Sequence, residues 1–119
     1  MKLEEEAKRF MQSKNKSMIT ADEYQNKAKA TAIYPKKDAL PYLVLGLTSE
    51  AGEVAGKVKK QIRDGTESNI ASEIGDVLWY CAMLATEMNV SLGKIMDNNL
   101  EKLYGRKQRG RLQGSGDTR

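Results

Sequence analysis

The sequence predicts an all-α protein, an antiparallel four-helix bundle assembled as an oligomer, and three observations carry that expectation. Apolar residues recur at steps of three and four over two long stretches, cap and turn signals separate the stretches by a few residues, and no segment reads convincingly as a strand. At 119 residues, with 39% hydrophobic and 30% charged side chains, the chain makes one globular domain at most.

The first helix, over about residues 2–13, has a weak apolar face and is expected to fray or to depend on a partner. Thr20 followed by Glu23 forms a capping box, so the second starts at Ala21, carries Tyr24, Ala28 and Ile33 toward a core and stops before Pro35. The third spans about residues 39–63, with Leu40, Leu43, Leu47, Ala51, Val54, Val58 and Ile62 on its stripe and Asp64-Gly65 closing it. The fourth covers about 67–88, with Ile70, Ile74, Val77, Leu78, Cys81, Leu84, Ala85 and Met88 inward and Asn89 at its end. Ser91 caps the fifth, which is expected to bury Leu92, Ile95, Met96 and Leu103; beyond Gly105 the chain turns basic and Gly-rich and is expected to be loop or disorder. The domain is therefore placed at residues 1–110 and a flexible tail at 111–119.

Composition removes several classes of function. The longest apolar run, residues 77–85, is far short of the roughly 20 needed to cross a bilayer, and the opening MKLEEEAKRF has no signal-peptide core, so a cytoplasmic location and no membrane partner are expected. The single cysteine, Cys81, fits a small core residue and excludes a Cys-rich zinc site. With no histidine there is no Ser-His-Asp triad, HExxH zinc helix or Glu-x-x-His di-iron site. Residues 52–57 lack Walker A spacing and the Ser or Thr after the lysine. Catalysis must use carboxylates, amines, hydroxyls or a hard metal ion.

Two carboxylate pairs stand out. Glu50 and Glu53 lie three apart on the third helix and Glu73 and Asp76 three apart on the fourth, a spacing that puts each pair on one face. With Glu53 twelve residues before Gly65 and Glu73 eight after it, an antiparallel hairpin brings the pairs to similar depth. Four converging carboxylates repel one another unless cations or protons neutralise them, and an all-oxygen ligand set favours Mg²⁺ or Mn²⁺. Gly46, Gly52, Gly56 and Gly75 each cost about 1 kcal/mol of helix propensity, which points to close helix approach or to room for a ligand. On the fifth helix Asn99 falls on the face expected to be buried, and Lys102 and Arg106 follow on the same side, an amide-and-cation strip suited to phosphate oxygens. The Lys57, Lys59 and Lys60 run reads as a solvated face, with phosphate binding as the minority role. Trp79 and Tyr80 make their helix apolar nearly all round, which suggests a subunit interface.

The net charge of +4 resides in the tail: Arg106, Lys107, Arg109, Arg111 and Arg119 against Asp117. This permits a different function, a non-enzymatic helical module that binds nucleic acid or oligomerises. The tail has no aromatic side chain for base stacking, which weighs against nucleic acid.

Taken in order, Ser49-Glu50-Ala51-Gly52-Glu53-Val54, then Glu73-Ile74-Gly75-Asp76-Val77-Leu78-Trp79-Tyr80, then Asn99-Leu100-Glu101-Lys102-Leu103 with Arg106 resemble the MazG-like branch of the all-α nucleoside triphosphate pyrophosphohydrolases, over about residues 20–110. The resemblance implies Mg²⁺ held by Glu50, Glu53, Glu73 and Asp76, with Glu50 or Glu53 favoured as the catalytic base. It implies phosphate contacts from Asn99, Lys102 and Arg106, and nominates Tyr24 and Trp79 for the base. It also implies hydrolysis of nucleoside triphosphates, standard or non-standard and deoxy forms among them, to monophosphate and pyrophosphate, by a homodimer or homotetramer.

Overall fold

The computed structural model describes residues 2–12 and 17–119; Ser13, the expected last residue of the first helix, lies outside them. Five α-helices, α1 (Lys2–Gln12), α2 (Ala21–Ala28), α3 (Ala39–Asp64), α4 (Ile70–Glu87) and α5 (Leu92–Gln108), follow one another, and no strand occurs among the described residues. None of these helices is long and apolar enough to cross a membrane.

Local chemistry sets the helix ends. Thr20 accepts a hydrogen bond from the Glu23 amide and the Glu23 carboxylate accepts from the Thr20 amide, so the capping box starts α2 at Ala21 as expected. Gly65, at φ 69°, closes α3 in the left-handed conformation, its amide donating to the Gln61 carbonyl. The fourth helix begins later than the sequence suggests, at Ile70, because Asn69 takes the cap and accepts from the Ser72 amide. The fifth runs three residues past Gly105, to Gln108.

The second helix is shorter than expected. It ends at Ala28, passes through a 3₁₀ turn at Lys29–Thr31 and becomes extended at Ala32, ahead of Pro35. Ile33 consequently points outward, 92% exposed, and Tyr34 enters the core in its place.

One helix organises the rest: α4 packs against α2, α3 and α5. The core lies where the first half of α3 crosses the second half of α4, from Leu43, Ala82 and Met83, with Ala28, Tyr34, Ala39 and Leu92 closing it. Burying such side chains contributes on the order of 1.5–3 kcal/mol each for the larger ones. The start of α2 pins the α4–α5 turn. Gln25 donates to the Val90 carbonyl at 2.9 Å and accepts from the Leu92 amide at 2.7 Å, while Asp22 accepts from the Ser91 hydroxyl and the Gly93 amide.

Along the α3–α4 hairpin Gly46 meets Tyr80, Glu50 meets Asp76 and Lys57 meets Asn69, a constant antiparallel register. Of the four glycines in α3 and α4, only Gly46 has a neighbour close enough to exclude a side chain; Gly52, Gly56 and Gly75 face open space. Much of the expected apolar stripe is also uncovered. Leu40, Val58, Ile62, Ile74, Leu78, Met88, Ile95, Met96 and Leu103 are all exposed, as are Ala51 and Asn99, against the expectation that they are buried. The radius of gyration, 17.5 Å, exceeds the roughly 13–14 Å of a compact chain of this length. Periodicity located the apolar faces, but α4 covers only one side of α3.

Candidate functional site

The hairpin register decides which acids meet. Glu50 on α3 and Glu73 and Asp76 on α4 converge, one carboxylate oxygen of each lying within 4.8 Å of the other two. Glu53 is level with Glu73 along the hairpin but is exposed and outside this group. The spacing argument therefore assembles three of the four predicted carboxylates.

The three acids are not electrostatically equal. Burial, followed by the charges of Asp76 and Glu73, pushes the Glu50 carboxyl above its ordinary range. Glu73 moves the other way, held down first by the hydrogen bond from Lys57. Lys57 Nζ lies 2.8 Å from Glu73 Oε1 and 3.3 Å from the Asn69 carbonyl oxygen, so this lysine is not the solvated charge the sequence suggested. Lys59 and Lys60 are exposed. The signal that could have separated them is position: Lys57 follows Glu50 by seven residues, two turns along the same side of α3.

One turn beyond Asp76, Trp79 carries the site toward α2. Its indole Nε1 donates to Thr31 Oγ1 at 2.8 Å, and its ring meets Tyr80 and Tyr34 edge-on, with centroids 5.0 and 6.3 Å away. Tyr24 and Trp79 both line a groove of about 840 Å³ between α1 and α2, whose walls include Leu3, Phe10, Ile19 and Ala28. Burial, and next the charge of Asp76, raise the Tyr24 hydroxyl above its ordinary value. Thr31, which orients the indole, was not legible in the sequence, because a 3₁₀ turn places it.

The α5 strip is differently situated. Asn99 and Lys102 are exposed, whereas Arg106 is 5% exposed. Its guanidinium donates to the carbonyls of Asp117 at 2.9 Å and Gly116 at 3.3 Å, while Nε is buried without a hydrogen-bond partner. Arg109 and Arg119 likewise donate to carbonyls of residues 111–119, so the tail curls back on the end of α5. Among the described residues, no hydrogen bond or ion pair joins Asn99, Lys102 or Arg106 to the acid cluster.

Three hard oxygen donors with no imidazole or thiolate fit a divalent cation such as Mg²⁺ better than zinc or copper, and such an ion would offset both the burial and the neighbouring charges that raise the Glu50 carboxyl.

Residues 40–110 match the MazG nucleotide pyrophosphohydrolase domain. The chain is also similar to the Gene 37 protein of Mycobacterium phage L5, 46% identical over 111 residues, covering 82% of this chain and 97% of that protein. No solved structure gives a significant match.

Proposed function

We propose that this chain, which belongs to the MazG nucleotide pyrophosphohydrolase family, hydrolyses nucleoside triphosphates, deoxy or non-standard forms among them, to nucleoside monophosphate and pyrophosphate in the cytoplasmic nucleotide pool. The observation that carries this reading is the meeting of Glu50, Glu73 and Asp76 beside a groove lined by Tyr24 and Trp79.

Glu50, Glu73 and Asp76 would hold Mg²⁺, or Mn²⁺ in its place, with Glu53, one turn from Glu50, completing the set. When bound, the ion supplies charge neutralisation at the phosphoryl oxygens and polarises the attacking water. Glu50 would take the proton from that water onto a carboxylate oxygen that the ion leaves free. Tyr24 and Trp79 orient the base in the groove, where their apolar surfaces exclude water. Asn99, Lys102 and Arg106 bind phosphate oxygens, and the two cations balance the charge on departing pyrophosphate.

The working unit is a homo-oligomer, dimer or tetramer, in which facing hairpins complete a four-helix bundle. What supports this is a second apolar seam on α3, formed by Leu40, Val44, Ala51, Ala55, Val58 and Ile62, all exposed and spaced as a helix-packing stripe.

Hydrolysis of a triphosphate panel in ¹⁸O-labelled water, with and without Mg²⁺, tests the reaction. Label in the monophosphate is expected, from attack at the α-phosphorus. Label in pyrophosphate places the attack at the β-phosphorus instead, and orthophosphate as first product rules the reaction out.

A further inference from the structure

We infer that Lys57 is a positioning residue and the resident counter-ion of the acid cluster: its ammonium group occupies Glu73 until a divalent cation arrives, and so sets how tightly that cation is held. This rests on the reading of Glu50, Glu73 and Asp76 as the metal ligands.

Lysine ordinarily extends into water, but Lys57 is restrained from two sides, 2.8 Å from Glu73 Oε1 and 3.3 Å from the Asn69 carbonyl, with its side chain 29% exposed and that of Glu73 15%. The interaction spans the hairpin, from the α3 face that bears Glu50 to the cap and first turn of α4. Glu73 therefore serves two cations. In the absence of metal it pairs with Lys57; with metal bound it must share its charge or give up the ammonium group.

Two effects of Lys57 oppose each other. Its hydrogen bond orients Glu73 and favours metal binding, but a partly exposed ion pair is typically worth a factor of about five or less in an equilibrium. Its positive charge stands about one carboxylate width from any ion on Glu73. Repulsion between unit and double charges at that range amounts to roughly tenfold in affinity even at the dielectric constant of water, and more in a partly buried site. The repulsion exceeds the orienting effect, so Lys57 weakens divalent binding and keeps the metal exchangeable.

Free Mn²⁺ measured by electron paramagnetic resonance gives the dissociation constant without reference to turnover. Wild type, Lys57→Met, Lys57→Arg and the exposed control Lys59→Met are titrated at low and high salt, with circular dichroism to verify folding and Lys57→Gln as the alternative if the methionine variant misfolds. Lys57→Met is expected to bind Mn²⁺ roughly tenfold tighter than wild type, with the gain shrinking at high salt. Lys57→Arg and Lys59→Met should stay within about threefold. Unchanged or weaker Mn²⁺ binding by the neutral variants, with wild type binding normally, overturns the role of Lys57 alone. Failure of wild type to bind Mn²⁺ at millimolar concentration overturns this inference together with the metal-site reading.

Discussion

The ring of Tyr80 lies against the backbone of Gly46, in the space that the Cβ of any other residue would occupy. This contact fixes how closely α3 and α4 approach just before the acids, because Glu50 follows Gly46 by one turn and Asp76 precedes Tyr80 by one turn. Trp79 braces the ring edge-on, so Tyr80 has little freedom to yield. Gly46→Ala gains up to about 1 kcal/mol of helix propensity and loses about 1–3 kcal/mol to overpacking. Thermal unfolding should show a net loss, whereas Gly75→Ala, which faces open space, should be neutral or stabilising within the protomer.

Glu50 and Glu53 are one turn apart yet are expected to differ sharply in importance. Glu50→Gln removes the proposed base and a ligand, so turnover at saturating Mg²⁺ should fall at least about a hundredfold. Glu53→Gln changes an exposed side chain and should lose less than about tenfold. In the absence of metal, Glu50→Gln should also unfold at a higher temperature, because it relieves repulsion from Asp76 and Glu73. Equal kinetic losses in the two variants would return Glu53 to the centre of the site.

What could be read from the sequence follows from the range of the interactions involved. The long helices α3 and α4 and the capping box of α2 were legible because they depend on neighbours three or four residues away. The acid cluster was legible for Glu50, Glu73 and Asp76, since their separations from the Gly65 turn encode the hairpin register. Glu53 lies outside that cluster, because three-residue spacing permits a shared face but does not fix how far each side chain reaches toward the next helix. Ile33 was misjudged because the helix gives way to a 3₁₀ turn, which rotates its side chain outward. The exposed stripes on α3 and α5 carry the periodicity of buried faces, and periodicity does not reveal whether the covering surface is in the same chain.

That exposed seam gives a direct test of assembly. Ala55→Arg places a long charged side chain at its centre, and Val44→Asp places a charge one turn from Leu40. Neither residue is buried in the protomer, so the fold should survive by circular dichroism. Sedimentation at low micromolar concentration should show an oligomer for wild type and a smaller species for either variant. A monomeric wild type would remove the proposed bundle between copies.

Asp22 makes stability sensitive to acid at the α2–α5 junction. The Gly93 amide, then the Ser91 hydroxyl, hold its carboxyl below its ordinary value of 3.8. A depressed folded value means the contribution is present above the unfolded pKa and is lost as pH falls through the folded one. The melting temperature should therefore drop more steeply below about pH 4 in wild type than in Asp22→Asn, which cannot titrate there. Parallel acid profiles for the two proteins would show that the junction does not depend on this charge.

The tail provides the last test, and the structure changes its expected outcome. A basic segment without an apolar anchor predicts that residues beyond Arg109 are dispensable, but the carbonyls of Gly116 and Asp117 take donors of Arg106, the proposed phosphate ligand. A guanidinium held this way must exchange main-chain carbonyls for phosphate oxygens before it can bind substrate, and charge-assisted contacts to phosphate are the stronger of the two. A chain ending after Arg109 should therefore show a lower KM for triphosphate, by a few-fold, with kcat little changed. Arg106→Ala should raise KM in the full-length protein, and truncation of that variant should give no further improvement, because the two changes act through the same group. An additive benefit from truncation in the Arg106→Ala background would mean that the tail obstructs the substrate directly rather than through Arg106.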